Sequence, residues 1–556
     1  MPAVEKSLPF YLIVGLLQAL AFVVALEYDS AGLAVFAVVL GVNLQLLGSA
    51  RPRIVVLAAL LFALLLAAIT AWVSRDLPEA PDSQRTLKAL WAVSGHLVAY
   101  VGTAFILSWP PGPGRGPRYD DLFRHAWNNG FIVLLAGLVT GLFWALLLLC
   151  ASLFQMIGIG ILEDLFHDRY FNAVALTLVF SLGMRMGREN DKVIGMLRGI
   201  LLSLCRFLTP LAALIVVLFS LTLLFTGLEP VWQTGRASTI LLCLVAITVF
   251  LVNGVFQDGT QSRAYPRTLT LLVEASLVLL PLLTLLAGYS TWLRIEQYGL
   301  SPSRFGAALL VAIAACYSLA AVWAVLGRGD IWLARLKLSN PWLALLCCVL
   351  LIVIQTPWLN PQTVSARDQV QRLLDGRTPP DKFDADYLYR GLGLPGRQAF
   401  ERLAGSLPES TAFDQPTREL LVSLLQEARE PYWSRKISPD LLEWVGTPVK
   451  DHEQFVSPRL GPGNCMNVRC VMWAVDLDGD GQEEVVQFSA SWSPLYFYRR
   501  DAKGDWTLAG RMEGRAGGAQ PVDAIRAGKV RVIQPRFRSL DVDGQIYAPI
   551  EEASEK

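Results

Sequence analysis

The sequence predicts an all-α polytopic membrane protein with a C-terminal periplasmic α+β domain, and two observations lead to this fold class. Hydrophobic residues make up 53% of the chain and charged residues 17%, a balance that is too apolar for a soluble protein of 556 residues. Eleven apolar stretches also fill residues 8 to 358, each near the ~20 residues that cross ~30 Å of hydrocarbon. We therefore expect about eleven transmembrane helices.

The predicted spans follow one another with polar loops between them. The N-terminal run is interpreted as a retained first span, because no small-residue cleavage site precedes Glu27. The second and sixth spans are short, and the fifth is long enough to tilt or protrude. In order, the spans are 8–26, 32–48, 54–73, 89–108, 131–157, 171–187, 204–226, 237–256, 268–289, 304–327 and 338–358.

Basic residues lie mainly in alternate loops, and this asymmetry predicts the orientation. One set of loops carries about fifteen Lys and Arg residues and the other set roughly six. The positive-inside rule then places Lys6 and Arg188 in the cytoplasm. An odd number of spans places the C-terminal domain, with Trp473 and Arg536, on the opposite side of the membrane. The net charge of +1 gives no reason to expect nucleic acid as a partner.

Beyond Asn360 the hydropathy falls and the periodicity changes twice. Residues 359–445 contain helical periods, whereas residues 446–556 alternate apolar and polar residues as strands do. We therefore predict three regions: a transmembrane domain over 1–358, a periplasmic helical segment over 359–445 and a periplasmic β-rich domain over 446–556.

The sequence DLDGDGQEE at 476–484 predicts a calcium site between two strands. Its candidate ligands are Asp476, Asp478, Asp480, Gln482 and Glu484, whose oxygen atoms suit a hard cation such as Ca²⁺. The loop resembles the single-loop calcium sites of FG-GAP and related β-propeller repeats. The alternative is a metal-free acidic turn, because Asp and Gly are also common in hairpins.

Two cysteines, Cys465 and Cys470, lie five positions apart in the polar tail. In an oxidising compartment this spacing favours a disulfide that closes a short loop. A zinc half-site is the weaker alternative, because no second Cys or His pair accompanies them. Two packed free thiols are the remaining alternative.

Two ionisable residues lie inside predicted spans. Placing the charged side chain of Glu274 within the ninth span costs about 3 kcal/mol on membrane-insertion scales. We therefore expect this carboxyl to be protonated, paired or lined by water. It is either a proton-carrying or substrate-facing carboxyl, or a carboxyl that is bonded to a neighbouring span or reaches toward the cytoplasmic interface. His96 in the fourth span is interpreted as a hydrogen-bonded packing residue, with a relay as the alternative.

An acidic cluster follows the fifth span at its outer end. Glu163 and His167 share one helix face by i,i+4 spacing, as do Asp164 and Asp168. The cluster is either a gate for a metal or a cationic substrate, or a solvated juxtamembrane turn. We favour the turn.

Three segments resemble a bacterial polytopic family known only as domain of unknown function 4153. They are FRHAWNNGFIVLLAGLVTGLFWALLLLCASLFQMIGI (123–159), LRIEQYGLSPSR (293–304) and VSARDQVQRLLDGRTPPDKFDADYLYRGLG (364–393). In the second, Ser301 is predicted to cap a helix and Pro302 to occupy its first turn. The resemblance covers roughly residues 10–405 and implies a bacterial inner-membrane protein with no established activity. No catalytic residue carries over from it.

The residues leave two classes of function open. Intramembrane Glu274 and His96, with Pro210 and Pro281 inside spans, favour a transporter or a translocator of a lipid or small molecule bound in the bundle, with a Ca²⁺-stabilised periplasmic domain. The alternative is an envelope sensor or scaffold whose periplasmic domain binds a partner protein. The absence of a recognisable inverted repeat weakens the assignment to known transporter architectures. An enzyme is not favoured, because no known catalytic motif is present.

Overall fold

The computed structural model describes most of the chain, and every structural statement below refers to the described residues. Lys6 and Arg536 of the orientation prediction lie outside them. The described residues are 8–48, 52–74, 81–109, 118–229, 236–260, 264–327, 331–409, 412–430, 439–456, 465, 469–489, 495–501, 504–512, 525–527, 532, 540–542 and 545–547.

The chain divides into two compact units, Met1–Leu420 and Leu421–Lys556. The first unit is helical, and α15 crosses the division between the units. The α-helices are α1 Leu8–Glu27, α2 Ala31–Leu47, α3 Arg53–Val73, α4 Pro81–Ser108, α5 Tyr119–Met156, α6 Ile161–His167, α7 Arg169–Glu189, α8 Asp191–Thr226, α9 Ala237–Phe256, α10 Arg267–Tyr298, α11 Pro302–Val325, α12 Leu336–Val353, α13 Pro361–Leu374, α14 Gly393–Ser406 and α15 Gln415–Arg429.

Within the described residues, nine helices are long and apolar enough to cross a membrane: α1, α3, α4, α5, α8, α9, α10, α11 and α12. This confirms the multi-pass helical class. The other two predicted spans coincide with α2, an apolar helix of 17 residues, and with α7, which ends in a charged turn containing Arg185 and Glu189. The total of eleven spans and their orientation remain predictions.

Helix α7 packs closely against α1 and α5 because small residues lie at its contacts. A Cβ atom added to Gly183 would lie 2.8 Å from the Cα atom of Ala136 on α5. One added to Gly15 of α1 would lie 3.0 Å from the Cβ atom of Ser181. Such small residues let helix backbones approach one another where burial from water gives no driving force. This packing holds α7 in the bundle despite its charged end.

The second half of the membrane region packs around α10. Val273, Leu277, Leu280 and Leu283 of α10 are fully or almost fully buried in a cluster that also contains residues of α8, α9 and α11. Pro281 lies inside α10.

Helix α5 is longer than a membrane crossing requires. It spans about 57 Å at 1.5 Å per residue and exceeds the ~30 Å hydrocarbon core.

The turn between α10 and α11 is built as the sequence predicts. The Ser301 side chain accepts a hydrogen bond from the Arg304 amide at 3.3 Å, and Pro302 occupies the first turn of α11. This confirms the predicted helix start. Gly299, with φ of 72°, ends α10 in the left-handed region that favours glycine.

Helix α13 is bonded to this turn. Asp368 accepts a hydrogen bond from the Leu300 amide at 2.6 Å, and the Gln369 side-chain amide donates to the Leu300 carbonyl at 3.0 Å. The buried Arg372 donates to the carbonyl of Glu296 near the end of α10, where the helix dipole favours a cation. These bonds join α13 to the membrane helices, so α13 and α14 belong to the first unit although the sequence assigned them to a separate segment.

The second unit contains a five-stranded sheet in the order β1–β2–β3–β4–β5. Strand β1 pairs in parallel with β2, and the remaining neighbours pair antiparallel. A separate pair of strands forms a small hairpin. The strands are β1 Leu442–Val445, β2 Cys470–Val475, β3 Glu484–Ser489, β4 Leu495–Arg500, β5 Trp506–Met512, β6 Leu540–Val542 and β7 Gln545–Tyr547.

Apolar side chains cover both faces of the five-stranded sheet. Phe455, Tyr498 and Trp506 pack with neighbouring aromatic rings on one face, and burial raises the pKa of the Tyr498 hydroxyl. Val471 and Phe488 belong to a second cluster on the other face. The region that alternates in sequence therefore folds as the predicted β-rich module.

Candidate functional site

The acidic loop connects β2 to β3 and brings three predicted ligands together. One oxygen from each of Asp476, Asp478 and Glu484 lies within 4.8 Å of the others. Glu484 is buried, and its Oε2 atom accepts a hydrogen bond from the Leu477 amide at 2.7 Å. The loop thus directs three hard oxygen donors at one region, which is the donor set that Ca²⁺ prefers.

Backbone amides of the loop fix the orientation of these carboxylates. Asp476 accepts from the amides of Gly479 at 2.7 Å and Gly481 at 3.0 Å, and both glycines have positive φ angles of 82° and 83°. Asp478 accepts from the Asp480 amide at 3.1 Å. A carboxylate has about four acceptor positions, so these bonds leave capacity for a cation. The three carboxylates therefore fit the ligand chemistry of a calcium ion.

The carboxylate of Asp480 is not part of this convergence. Asp480 accepts a hydrogen bond from the Gln482 amide at 2.7 Å, and its carboxylate is outside the group of three. Asp480 is exposed, as is Gln482. The carboxylates of Asp476, Asp478 and Glu484 therefore form the compact part of the site.

A disulfide joins Cys465 to Cys470 beside the sheet, and both residues are buried. The Gln487 side chain donates to Cys465 Sγ and accepts a bond from the Tyr498 hydroxyl at 2.8 Å. Gln487 is itself buried. The disulfide is thus part of the core of the second unit, in the geometry that the sequence favours over a zinc half-site.

The structure places the two intramembrane candidates in different surroundings. The Trp332 indole N–H donates to Glu274 Oε1 at 3.0 Å, and Trp332 lies between α11 and α12. Glu274 is therefore paired, but its partner lies in a connecting segment and not in a neighbouring span. His96 is exposed on α4 and bonds through Nδ1 to the Ala92 carbonyl of its own helix. It does not lie inside the bundle, which corrects the expectation of a packing residue.

The acidic cluster near α6 forms local turn structure. The His167 Nδ1 atom lies 2.7 Å from the Glu163 carbonyl oxygen, and the Asp168 side chain caps α7 by accepting from the Phe171 amide at 2.7 Å. Asp164, His167 and Asp168 are exposed. The described residues group no metal ligands here, so the arrangement fits the solvated turn that the sequence favours.

Sequence reasoning missed a set of buried polar residues among α1, α2 and α4. The Asn43 side-chain amide donates to Thr103 Oγ1 at 3.0 Å, and the Gln45 amide donates to Gln18 Oε1 at 3.1 Å. All four are buried, and we call them the buried amide cluster. Asn43 Oδ1 and Gln45 Oε1 have no hydrogen-bond donor within the described residues. The sequence signal that could have revealed the cluster is the presence of Asn and Gln residues within apolar runs.

A second missed feature is a cavity of about 1030 Å³ in the first unit. It lies between the ends of α3 and α4 and the helices α13 and α14. Trp72 and Leu87 contribute apolar walls, whereas Arg367 and Arg402 contribute guanidinium groups. The sequence does not indicate this cavity, because its walls come from segments about 300 residues apart.

One known protein family matches most of the first unit. The model of a family described as a domain of unknown function, DUF4153, matches residues 12–403. The chain belongs to this family. The family region contains the buried amide cluster and both cavity arginines, and it ends before β1. The acidic loop therefore lies outside it. No curated protein and no solved structure matches the chain.

Proposed function

We propose that this member of the DUF4153 family is a bacterial inner-membrane protein that moves a lipid or another small amphipathic molecule across the bilayer. The observation that supports the proposal is the buried amide cluster. In a hydrocarbon environment each unsatisfied polar group costs several kcal/mol, so such groups are retained where they meet a polar partner. Two buried acceptor oxygens of the cluster have no donor within the described residues, so each can accept a hydrogen bond from a water molecule or a polar headgroup that enters the bundle.

The arrangement of the cluster along the helices supports a path. Gln18 lies near the middle of α1, whereas Gln45 lies near the end of α2. The Tyr11 hydroxyl donates to the Gln45 carbonyl at 3.3 Å, and Ser181 donates to the Tyr11 carbonyl at 2.6 Å. Polar atoms thus extend from the middle of α1 toward one membrane surface, as expected for a translocation route.

Glu274 and His96 are not the residues on which we base this proposal. Glu274 is bonded to Trp332 and His96 is exposed, so neither belongs to the buried amide cluster.

The proposed location is the inner membrane with the C-terminal unit in the periplasm. The basic residues of alternate loops support this orientation, as does the disulfide between Cys465 and Cys470, since disulfides persist in oxidising compartments. We further propose that Ca²⁺ stabilises the second unit through Asp476, Asp478 and Glu484. Their convergence within 4.8 Å supports a structural role for the ion.

Translocation is tested with the purified full chain in liposomes that contain a fluorescent lipid. A membrane-impermeant reductant bleaches only the outer leaflet in protein-free vesicles, so movement of lipid by the protein extends bleaching to the inner leaflet. We expect Gln45→Leu to slow this phase about tenfold, corresponding to ~1.4 kcal/mol, because it removes an acceptor. Gln155→Leu, at an exposed position on α5, is the matched control.

Bleaching no greater than in protein-free vesicles would contradict the proposal. If the full chain moved no lipid but bound a partner protein through its second unit, the alternative function of an envelope sensor or scaffold would be favoured instead.

A further inference from the structure

The cavity of about 1030 Å³ lies where a membrane surface is expected. Trp72 and Val73 are among the last residues of α3, and Leu87 opens the apolar part of α4. All three line the cavity. Tryptophan is enriched at membrane–water interfaces, which agrees with this depth. The cavity therefore adjoins the headgroup layer of the bilayer, with α13 and α14 forming its other side.

The lining of the cavity combines two kinds of chemistry. Trp72, Leu87 and Leu394 offer apolar surface, and Arg367 on α13 and Arg402 on α14 offer two guanidinium groups. The volume lies just above the ~300–1,000 Å³ that is usual for ligand sites, so it is large enough for a lipid headgroup. This combination suits a molecule with an anionic end and an apolar end.

The charge balance of the cavity favours an anion. Within the described residues, neither Arg367 nor Arg402 forms an ion pair, and Arg402 Nε donates to the Gln398 carbonyl at 3.1 Å. The carboxylate of Asp375, which also lines the cavity, is bonded by Arg377 at 2.9 Å. The two arginines are therefore left to bind a ligand, and guanidinium groups form strong charge-assisted bonds to phosphate.

We propose that this cavity binds the phosphate-containing headgroup of an anionic phospholipid, with Arg367 and Arg402 on the phosphate and the Trp72 side receiving the start of the acyl chains. Free phosphate would use the arginines but not the apolar wall, so the lipid is the better fit. The inference rests on the proposed function and names the substrate class. Its physical claim, headgroup binding, can be measured without any translocation.

The test measures lipid binding to the detergent-solubilised full chain by native mass spectrometry. The probes are phosphatidylglycerol, phosphatidylcholine and inorganic phosphate. We expect phosphatidylglycerol to bind most tightly. Arg367→Gln and Arg402→Gln should each raise its Kd about tenfold, equivalent to ~1.4 kcal/mol, because each substitution removes a charge-assisted bond to the phosphate. Arg402→Lys should retain part of the affinity, since it keeps the charge but loses the planar fork.

Arg418→Gln removes the same charge outside the cavity lining and is the matched control, so its Kd should be unchanged. Both arginines of the cavity are exposed, and a single symmetric size-exclusion peak for each variant checks that the fold is retained. Equal affinity for the two lipids, an unchanged Kd in both cavity variants, or phosphate binding as tight as phosphatidylglycerol would each overturn the inference.

The outcomes separate this inference from the proposed function. Selective phosphatidylglycerol binding without lipid movement in liposomes would overturn translocation and support the headgroup site. Lipid movement with no preference for phosphatidylglycerol would support translocation and overturn the headgroup site.

Discussion

Removing calcium is expected to loosen the hairpin formed by β2 and β3. The oxygens of Asp476, Asp478 and Glu484 lie within 4.8 Å of one another, so each pair of charges repels by ~0.9 kcal/mol at the dielectric constant of water. Three pairs give ~2.6 kcal/mol, before the reduction by salt that exposed charges undergo. A bound ion at a hundredfold of its Kd contributes ~2.7 kcal/mol, which is enough to offset this repulsion.

Hydrogen exchange of the full chain, read by mass spectrometry over β2, the loop and β3, measures this difference locally. At ~10 mM free Ca²⁺ and a Kd of ~10⁻⁴ M, amide exchange should be about a hundredfold slower than in chelator. Asp476→Asn together with Asp478→Asn should abolish the difference.

The acidic turn between β4 and β5 provides a matched control. There the Asp505 amide donates to Asp501 at 3.0 Å, and the described part of this turn contains no group of three carboxylates. Asp501→Asn should preserve the calcium effect. Identical exchange in Ca²⁺ and in chelator would refute the reasoning and leave a metal-free acidic hairpin.

Three further predictions concern stability. Gly299→Ala should destabilise the first unit by at least ~1–2 kcal/mol, because alanine strains the left-handed backbone and its Cβ would contact α13; heating followed by size-exclusion chromatography measures this against Gly405→Ala, which has open space. Arg526 donates two hydrogen bonds to Glu443 and lowers the pKa of that carboxyl. The pair should therefore stabilise the second unit at neutral pH, and this stabilisation should be lost as the pH falls through the lowered pKa. Unfolding of the wild type and of Glu443→Gln, followed against pH, should then converge in acid, and parallel curves would contradict the prediction. Cys465 and Cys470 should resist thiol alkylation until the purified chain is reduced, and labelling without reductant would exclude the disulfide.

The membrane class and the α10–α11 turn could be predicted because their signals are local. Apolar runs of the right length identify membrane helices, and Ser301 followed by Pro302 identifies a helix start from neighbouring residues alone. The β2–β3 loop was found for the same reason. Its ligands follow one another within nine positions, so short-range spacing largely determines which oxygens can meet.

The sequence could not predict the direction in which a side chain points or the partner that it contacts. His96 has the sequence surroundings of a buried residue, but rotation of α4 exposes it, and such rotation depends on neighbouring helices. The partner of Glu274 is Trp332, which is 58 residues away and outside any helix of the bundle. The cavity was missed for a similar reason, since Arg367 and Arg402 have ordinary helical surroundings in the sequence.

The two proposed ligands therefore act in different parts of the chain. The buried amide cluster, Arg367 and Arg402 all lie within residues 12–403, the region that defines the family. The acidic loop at 476–484 lies beyond it and in the second compact unit. A calcium ion bound there would reduce repulsion among carboxylates of one hairpin, whereas the guanidinium groups of the first unit are proposed to bind a phosphate-containing headgroup. Since the two sites share no residue, calcium is expected to control the stability of the added module, and lipid binding should depend on the family region.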